Sequence, residues 1–214
     1  MRMRRKKHGA ERLLKCKEIL LPDEITDFET VFGNDNHVRL EIGCGKGDFI
    51  CGTAAKNPDV NFIAIERISD VLMLAAEKAM AADIKNVRFA VMNAAYLAEK
   101  FEPHSIERIY LNFSDPWPKK GYAKRRLTHR GFLDIYKTVL TENGSLYLKT
   151  DDDSLFEFSV EELKESGFEI TDITRDLHNS GYVKDNVMTE YERNFVNEGK
   201  KINMLRAYFK GDKQ

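Results

Sequence analysis

Cysteine is scarce: Cys16, Cys44 and Cys51 are the only three in 214 residues, and no pair has CxxC spacing. That excludes a disulfide framework, a cysteine zinc site and a thioredoxin-type motif, and it predicts a reducing compartment. The five prolines are scattered and no repeat or low-complexity stretch interrupts the chain, so no linker between independent domains is read. Long apolar runs are missing too, since nothing approaches the ~20 residues of a membrane span. The basic N-terminus has no apolar h-region, because Glu11, Arg12, Lys15, Lys17 and Glu18 break every short run of leucines. This argues against a secretory signal and for the cytoplasm. His8, His37, His104, His129 and His178 share no metal-ligand spacing with one another or with the cysteines, so no metal is expected. Nor does one sign of charge dominate: 34 Lys and Arg stand against 35 Asp and Glu, a net charge of −1.

What is present, 42% apolar and 32% charged residues, describes a soluble globular chain able to bury one sizeable core. Its charge is uneven. Residues 1–17 carry eight basic side chains against Glu11 alone, and residues 115–130 carry Lys119, Lys120, Lys124, Arg125, Arg126 and Arg130 against Asp115 alone. One such run is commonly a solvated face. Two on an otherwise acidic chain point towards a nucleic-acid phosphate backbone.

Strand-like and helix-like segments alternate. Val38–Ile42, Asn61–Glu66, Val87–Val91, Ile106–Phe113, Ser145–Lys149, Phe168–Ile173 and Lys201–Phe209 read as strands. Helical patterns follow a Ser69 cap, a Thr128 cap, and a capping box of Ser154 with Glu157. Asn143-Gly144 reads as a turn. This order predicts a mostly parallel sheet covered by helices, with ligands at the carboxyl ends of the strands.

Three features stand at those ends. Leu40-Glu41-Ile42-Gly43-Cys44-Gly45-Lys46-Gly47 places alternate glycines between the first strand and its helix, where the backbone turns sharply and a ligand can approach amide N–H groups. It is neither a Walker A loop nor a full G-x-G-x-x-G. Glu66, 19 residues past Gly47, ends the second strand, where a carboxylate accepts from both hydroxyls of a ribose. Loop and acid together specify a nucleoside without separating NAD from S-adenosylmethionine. The third feature, Asn112-Phe113-Ser114-Asp115-Pro116-Trp117-Pro118-Lys119-Lys120, follows the fourth strand.

With NFSDPWPKK the chain resembles the bacterial tRNA (guanine-N7-)-methyltransferases. The resemblance extends over essentially the whole length, through the basic start, LEIGCGKG, the RRLT that follows the lysines, and Thr189-Glu190-Tyr191-Glu192. It implies an α/β, Rossmann-like class I methyltransferase fold with a mostly parallel sheet of about seven strands and helices on both faces. It also implies methyl transfer from S-adenosyl-L-methionine, leaving S-adenosyl-L-homocysteine, to N7 of a variable-loop guanine in tRNA. By the same resemblance Glu41, Gly43, Gly45, Glu66, Asn93 and Asp115 hold the cofactor, with Asp115 also catalytic. Lys119, Asp151, Thr189, Glu190, Tyr191 and Glu192 hold the substrate. Gly121, Tyr122, Ala123, Lys124, Arg125 and Arg126 form an RNA-contacting loop. Two positions depart from the usual pattern: Asn93 replaces an aspartate, and Gly121-Tyr122 replaces the Arg-His of many relatives. The expected organisation is a basic, partly flexible extension over residues 1–30 and one methyltransferase domain over 31–214, as a monomer or homodimer away from any membrane.

The chemistry is consistent with these residue types. Guanine N7 is a ring lone pair, and methylating it releases no proton, so positioning replaces base catalysis. N7 and O6 are both acceptors, which directs Asp115 and Asp151 to the donor edge of guanine or to the positive charge developing on the purine. Cys44 then serves as a small spacer rather than a nucleophile. Trp117 either stacks on a base or anchors its loop. Other readings are a methyltransferase for an exocyclic amine, suggested by Asp115-Pro116-Trp117, and a non-catalytic RNA-binding module. A nicotinamide dehydrogenase is weaker, because no His and Arg pair is placed for hydride transfer.

Overall fold

Short hydrophobic strands separated by amphipathic helices fold, in the computed structural model, into two compact units that divide after Ala94. The structure describes residues 8–22 and 27–209. Of the N-terminal basic run, Arg2, Arg4, Arg5, Lys6 and Lys7 lie outside the described residues.

The first unit contains α1 (Gly9–Lys15), α2 (Phe28–Phe32), β1 (Val38–Ile42), α3 (Asp48–Lys56), β2 (Asn61–Glu66), α4 (Ser69–Ala81) and β3 (Val87–Val91). Its strands are parallel in the order β3-β2-β1. The central strand, NFIAIE, is apolar without alternation because its first five residues are all buried, as a parallel strand covered on both faces requires. The expected Ser69 cap is not formed. Ile68 is the N-cap without a side-chain bond, its carbonyl accepting from Val71 N and Leu72 N, while ahead of the helix the Glu66 carboxylate accepts from Arg67 N at 2.7 Å and Ile68 N at 3.0 Å. On α4 the alanines Ala75, Ala76 and Ala79 are fully buried and permit close approach. A Cβ on Gly47, at φ +80°, would lie 2.7 Å from Ala75 Cβ. Gly47→Ala is therefore expected to cost roughly 1–3 kcal/mol, read as a lower melting temperature, and an unchanged value would disprove the clash. α1 packs on α4, where the Arg12 guanidinium donates to both Glu77 oxygens at 2.7 and 2.5 Å. Arg12 of the basic run is thus engaged within the fold.

The second unit contains α5 (Leu97–Lys100), β4 (Ile106–Asn112), α6 (Arg130–Val139), β5 (Leu140–Thr150), α7 (Asp153–Glu165), β6 (Phe168–Thr174), α8 (Glu190–Asn197) and β7 (Asn203–Phe209). Its strand order is β4-β5-β7-β6, with β4 and β5 parallel and β7 antiparallel to both neighbours. The seven strands make the mostly parallel α/β arrangement expected. Asn143-Gly144 is not a turn ahead of the fifth strand. It lies inside β5, in an irregularity between the pairs Ile106↔Leu140 and Arg108↔Ser145, with Asn143 at φ 61°.

Two further helix starts differ from expectation. His129, not Thr128, caps α6, its Nδ1 accepting from Gly131 N. The Thr128 hydroxyl is buried against Ser159 Oγ at 2.8 Å. Asp152, not Ser154, caps α7, accepting from Leu155 N at 2.7 Å, while Glu157 pairs with Arg175. Asp152 takes the cap position two residues earlier and leaves Ser154 inside the first turn, its carboxylate being a stronger acceptor for a helix amide than a hydroxyl. Arg130 joins α6 to α7, donating from its amide and guanidinium to Glu162, and this holds the Glu162 carboxyl below its ordinary value. A carboxylate depressed in the folded state adds stability above its unfolded value, here 4.5, that is lost as pH falls through the folded one. Melting temperature is therefore expected to fall less steeply below pH 4.5 in Glu162→Gln than in the wild type, whereas parallel acid profiles would refute the contribution.

Candidate functional site

The carboxyl edge of the first unit is assembled by strand register. Gly43 N and Cys44 N donate to Ile65 O at 2.8 and 3.2 Å, which folds the chain leaving β1 over the end of β2. The loop then alternates left-handed residues, Gly43 at φ 77°, Gly45 at 56° and Gly47 at 80°, a sequence of turns that side chains with a Cβ oppose. A Cβ on Gly43 or Gly45 would meet nothing within 4 Å. Their lack of side chains leaves open space over the backbone, whereas Gly47 serves helix packing. Glu66 pairs with Val91 in register, and Met92 N donates to Glu66 O at 3.0 Å, so the exposed Asn93 follows directly beyond the end of β2. Glu41, buried in β1, pairs in register with Ala64 two residues before Glu66. The structure thus brings Glu41, Gly43, Gly45, Glu66 and Asn93 to one edge. Burial, and then the charges of Glu41 and Glu66, push the Cys44 thiol well up, and burial pushes Cys51 up to about 12. Neither supplies a thiolate near neutrality.

The second unit carries the other predicted residues. Phe113 N donates to Lys149 O at 2.8 Å, continuing the β4–β5 ladder past Asn112, and Phe113 then turns left-handed at φ 53°. This swings Ser114 and Asp115 off the strand line. Asp115 is exposed. The Ser114 hydroxyl is buried and makes no hydrogen bond among the described residues, an uncommon state for a buried polar atom. No sequence pattern singled out Ser114. Lys119, Lys120, Gly121, Tyr122, Lys124 and Arg125 are exposed, and Ala123 is half-buried, around a 3-10 turn over Lys120–Arg125. Arg126 is the exception to the expected RNA-contacting loop. It is buried, donates to Pro116 O and Trp117 O at 3.0 Å each, and lies over the Phe158 ring at 4.4 Å. It holds the loop from within, because its guanidinium matches two carbonyls that the left-handed turn at Trp117 presents.

Two members of the Thr189–Glu192 segment are engaged within the fold. Thr189 Oγ1 accepts from Glu192 N at 2.9 Å and the Glu192 carboxylate accepts from Thr189 N, a capping box that starts α8. Glu192 is fully buried and accepts from Lys149 Nζ at 2.6 Å, Asn186 Nδ2 at 2.5 Å and His178 Nε2 at 3.0 Å. Lys149, equally buried, also donates to Asn186 Oδ1 and Val187 O. The Glu192 oxygens are thus committed to four protein donors inside the fold. Sequence reasoning missed Lys149 because a lone lysine in a strand carries no motif. Tyr191 is exposed, Glu190 is half-exposed, and Asp151 is half-buried with Lys200 Nζ at 3.8 Å.

Residues 35–205 match a family described as "Putative methyltransferase". The tRNA (guanine-N(7)-)-methyltransferase of Listeria monocytogenes is 46% identical over 212 residues, covering 98% of this chain and 99% of that protein. The enzyme of the same name from Brevibacillus brevis is 48% identical over 176 residues, 82% of each chain. The chain belongs to this methyltransferase family. Solved structures agree on the fold: the 16S rRNA methyltransferase KamB superposes with a TM-score of 0.64 at 14% identity, covering 89% of this chain and 98% of KamB. An antibiotic-related methyltransferase gives a TM-score of 0.64 at 19% identity, covering 89% and 97%. Family membership agrees with the resemblance carried by NFSDPWPKK, and it makes the protein a methyltransferase with a Rossmann-like fold.

Proposed function

We propose that this methyltransferase transfers a methyl group from S-adenosylmethionine to N7 of a guanine in tRNA, the variable-loop guanine by family resemblance. The observation that carries the reading is the glycine loop with open space at Gly43 and Gly45 beside the Glu66 carboxylate, in a chain 46% identical to a tRNA (guanine-N(7)-)-methyltransferase over nearly its whole length. An open cradle over left-handed glycines, next to a carboxylate for a ribose, suits a nucleoside-bearing methyl donor.

S-adenosylmethionine, when bound, supplies an electrophilic methyl group on a sulfonium. Glu66, with one oxygen already anchored to backbone amides, would accept from the ribose hydroxyls. Asn93 would accept from the adenine amine through its amide oxygen, and Glu41, Gly43 and Gly45 complete the holding set. Asp115 would accept from guanine N1–H and the exocyclic amine. A carboxylate there orients the base and offsets the positive charge that grows on the purine as N7 is methylated. No side chain needs to remove a proton from N7. Lys119, Asp151, Thr189, Glu190 and Tyr191 remain the proposed substrate contacts, with Glu190 and Tyr191 the outward members of their segment. Gly121, Tyr122, Ala123, Lys124 and Arg125 face the RNA. Residues 31–214 would form the methyltransferase domain and 1–30 its basic extension. A cytoplasmic location accords with three free thiols, and no described helix is long and apolar enough to cross a membrane.

The test is label transfer from methyl-labelled S-adenosylmethionine to unmodified bulk tRNA, followed by digestion to nucleosides. Label in 7-methylguanosine is expected. Label in another nucleoside, or undiminished transfer to tRNA carrying 7-deazaguanosine in place of guanosine, would overturn the reading.

A further inference from the structure

The turn after β4 holds an aromatic and cationic cluster. Trp117, the only tryptophan of the chain, meets Tyr122 edge-on with ring centroids 6.0 Å apart and planes at 80°. The Arg125 guanidinium lies over both rings, 4.9 Å from the indole centroid and 4.7 Å from the phenol. Trp117 is at φ 43°, a left-handed conformation unfavourable for a bulky residue. The buried Arg126 keeps it there through the carbonyls of Pro116 and Trp117. Backbone strain held by a buried side chain is usual where a residue must face a particular way.

The surroundings identify the occupant. Tyr122 is 42% exposed and Trp117 is only half-buried, so the cluster is no core anchor. Lys119, Lys120, Lys124 and Arg125 are all exposed, and none of them makes a salt bridge among the described residues. Exposed cations around a preassembled aromatic and guanidinium cluster match the two halves of a nucleotide. Phosphates meet the lysines, and a base stacks on the flat groups.

We infer that Trp117, Tyr122 and Arg125 form a stacking site for one unpaired nucleobase of RNA, with Lys119, Lys120 and Lys124 on the flanking phosphates. The inference rests on the tRNA reading above and extends it to how RNA is gripped beside Asp115. Stacking tolerates any base, because every base has a π-face; the site contributes affinity rather than sequence choice.

Because Trp117 is the sole tryptophan, its fluorescence reports this site directly. Titration with tRNA, and with oligoadenylate, which contains no guanine, is expected to quench it. An abasic oligonucleotide of equal length is expected to bind without quenching. Trp117→Ala and Tyr122→Ala should each weaken tRNA binding by roughly 5- to 150-fold, the equivalent of one lost base stack, with the salt dependence of binding unchanged. Trp117→Phe should restore most of the affinity. Equal quenching by the abasic strand, or bound tRNA that leaves the fluorescence untouched while 7-methylguanosine is still formed, would overturn the stacking site alone. Quenching by oligoadenylate without 7-methylguanosine formation would support the stacking site and overturn the reaction. Absence of RNA binding would overturn both.

Discussion

Asp115→Asn is expected to lower kcat by roughly 10²- to 10³-fold while leaving tRNA affinity and melting temperature close to those of the wild type. The separation follows from where Asp115 sits. It is exposed, just past the left-handed Phe113 that follows β4, so its charge is not part of the packing that holds the fold. The amide preserves size and one acceptor, but it cannot balance positive charge on the methylated purine. The loss should therefore appear in kcat and in kcat/KM alike, as for an interaction made mainly in the transition state. Single-turnover methylation of tRNA, alongside filter binding and thermal unfolding, measures all three quantities. Near-normal turnover would refute the role given to the carboxylate, and a matching loss of tRNA affinity would recast it as a binding group.

Lys149→Met is expected to destabilise the protein by about 3–5 kcal/mol, because it leaves the Glu192 carboxylate buried without its cation. Both side chains are fully buried at 2.6 Å separation. In a protein of this size the change corresponds to a melting temperature lower by about 6–20 °C. The double variant Lys149→Met with Glu192→Gln should recover most of the loss, since an apolar and neutral pair avoids the uncompensated charge. The consequences reach the carboxyl end of β4 as well as the core. Lys149 pairs in register with Asn112 and its carbonyl receives Phe113 N, while its ammonium ties down the start of α8 through Glu192. Denaturant unfolding of the single and double variants isolates the pair. A single-variant loss below about 1 kcal/mol would place it with surface salt bridges instead.

Much of the architecture was legible along the chain. Apolar runs such as NFIAIE and the recurring helical faces are local patterns, and the strands appear where those patterns lie, within a few residues. The glycine loop and Glu66 were likewise readable, because backbone geometry at a strand-to-helix turn depends on neighbouring residues. Helix starts were less legible. Ser69, Thr128 and Ser154 are all sound caps by type, yet α4 starts at Ile68 with no side-chain cap, and His129 and Asp152 cap α6 and α7. Residues of capping type stand next to one another at such starts, and only the folded chain selects which one, if any, is aimed at the helix amides.

The sequence by itself determined the fold class, the family, and the set of chemical groups at the strand ends, since these rest on periodicity and on contiguous motifs. Only the tertiary structure decided how individual members of those motifs are used. Arg126 and Glu192 belong to the segments expected to meet RNA and substrate, yet each turns inward. Arg126 meets carbonyls nine and ten residues away, and Glu192 meets Lys149, 43 residues before it in the chain. A charged side chain shows no sign in its own segment of whether a distant partner will satisfy it. Burial of a charge is stable only where such a partner waits, and that is settled by the packing of strands and helices far apart in sequence.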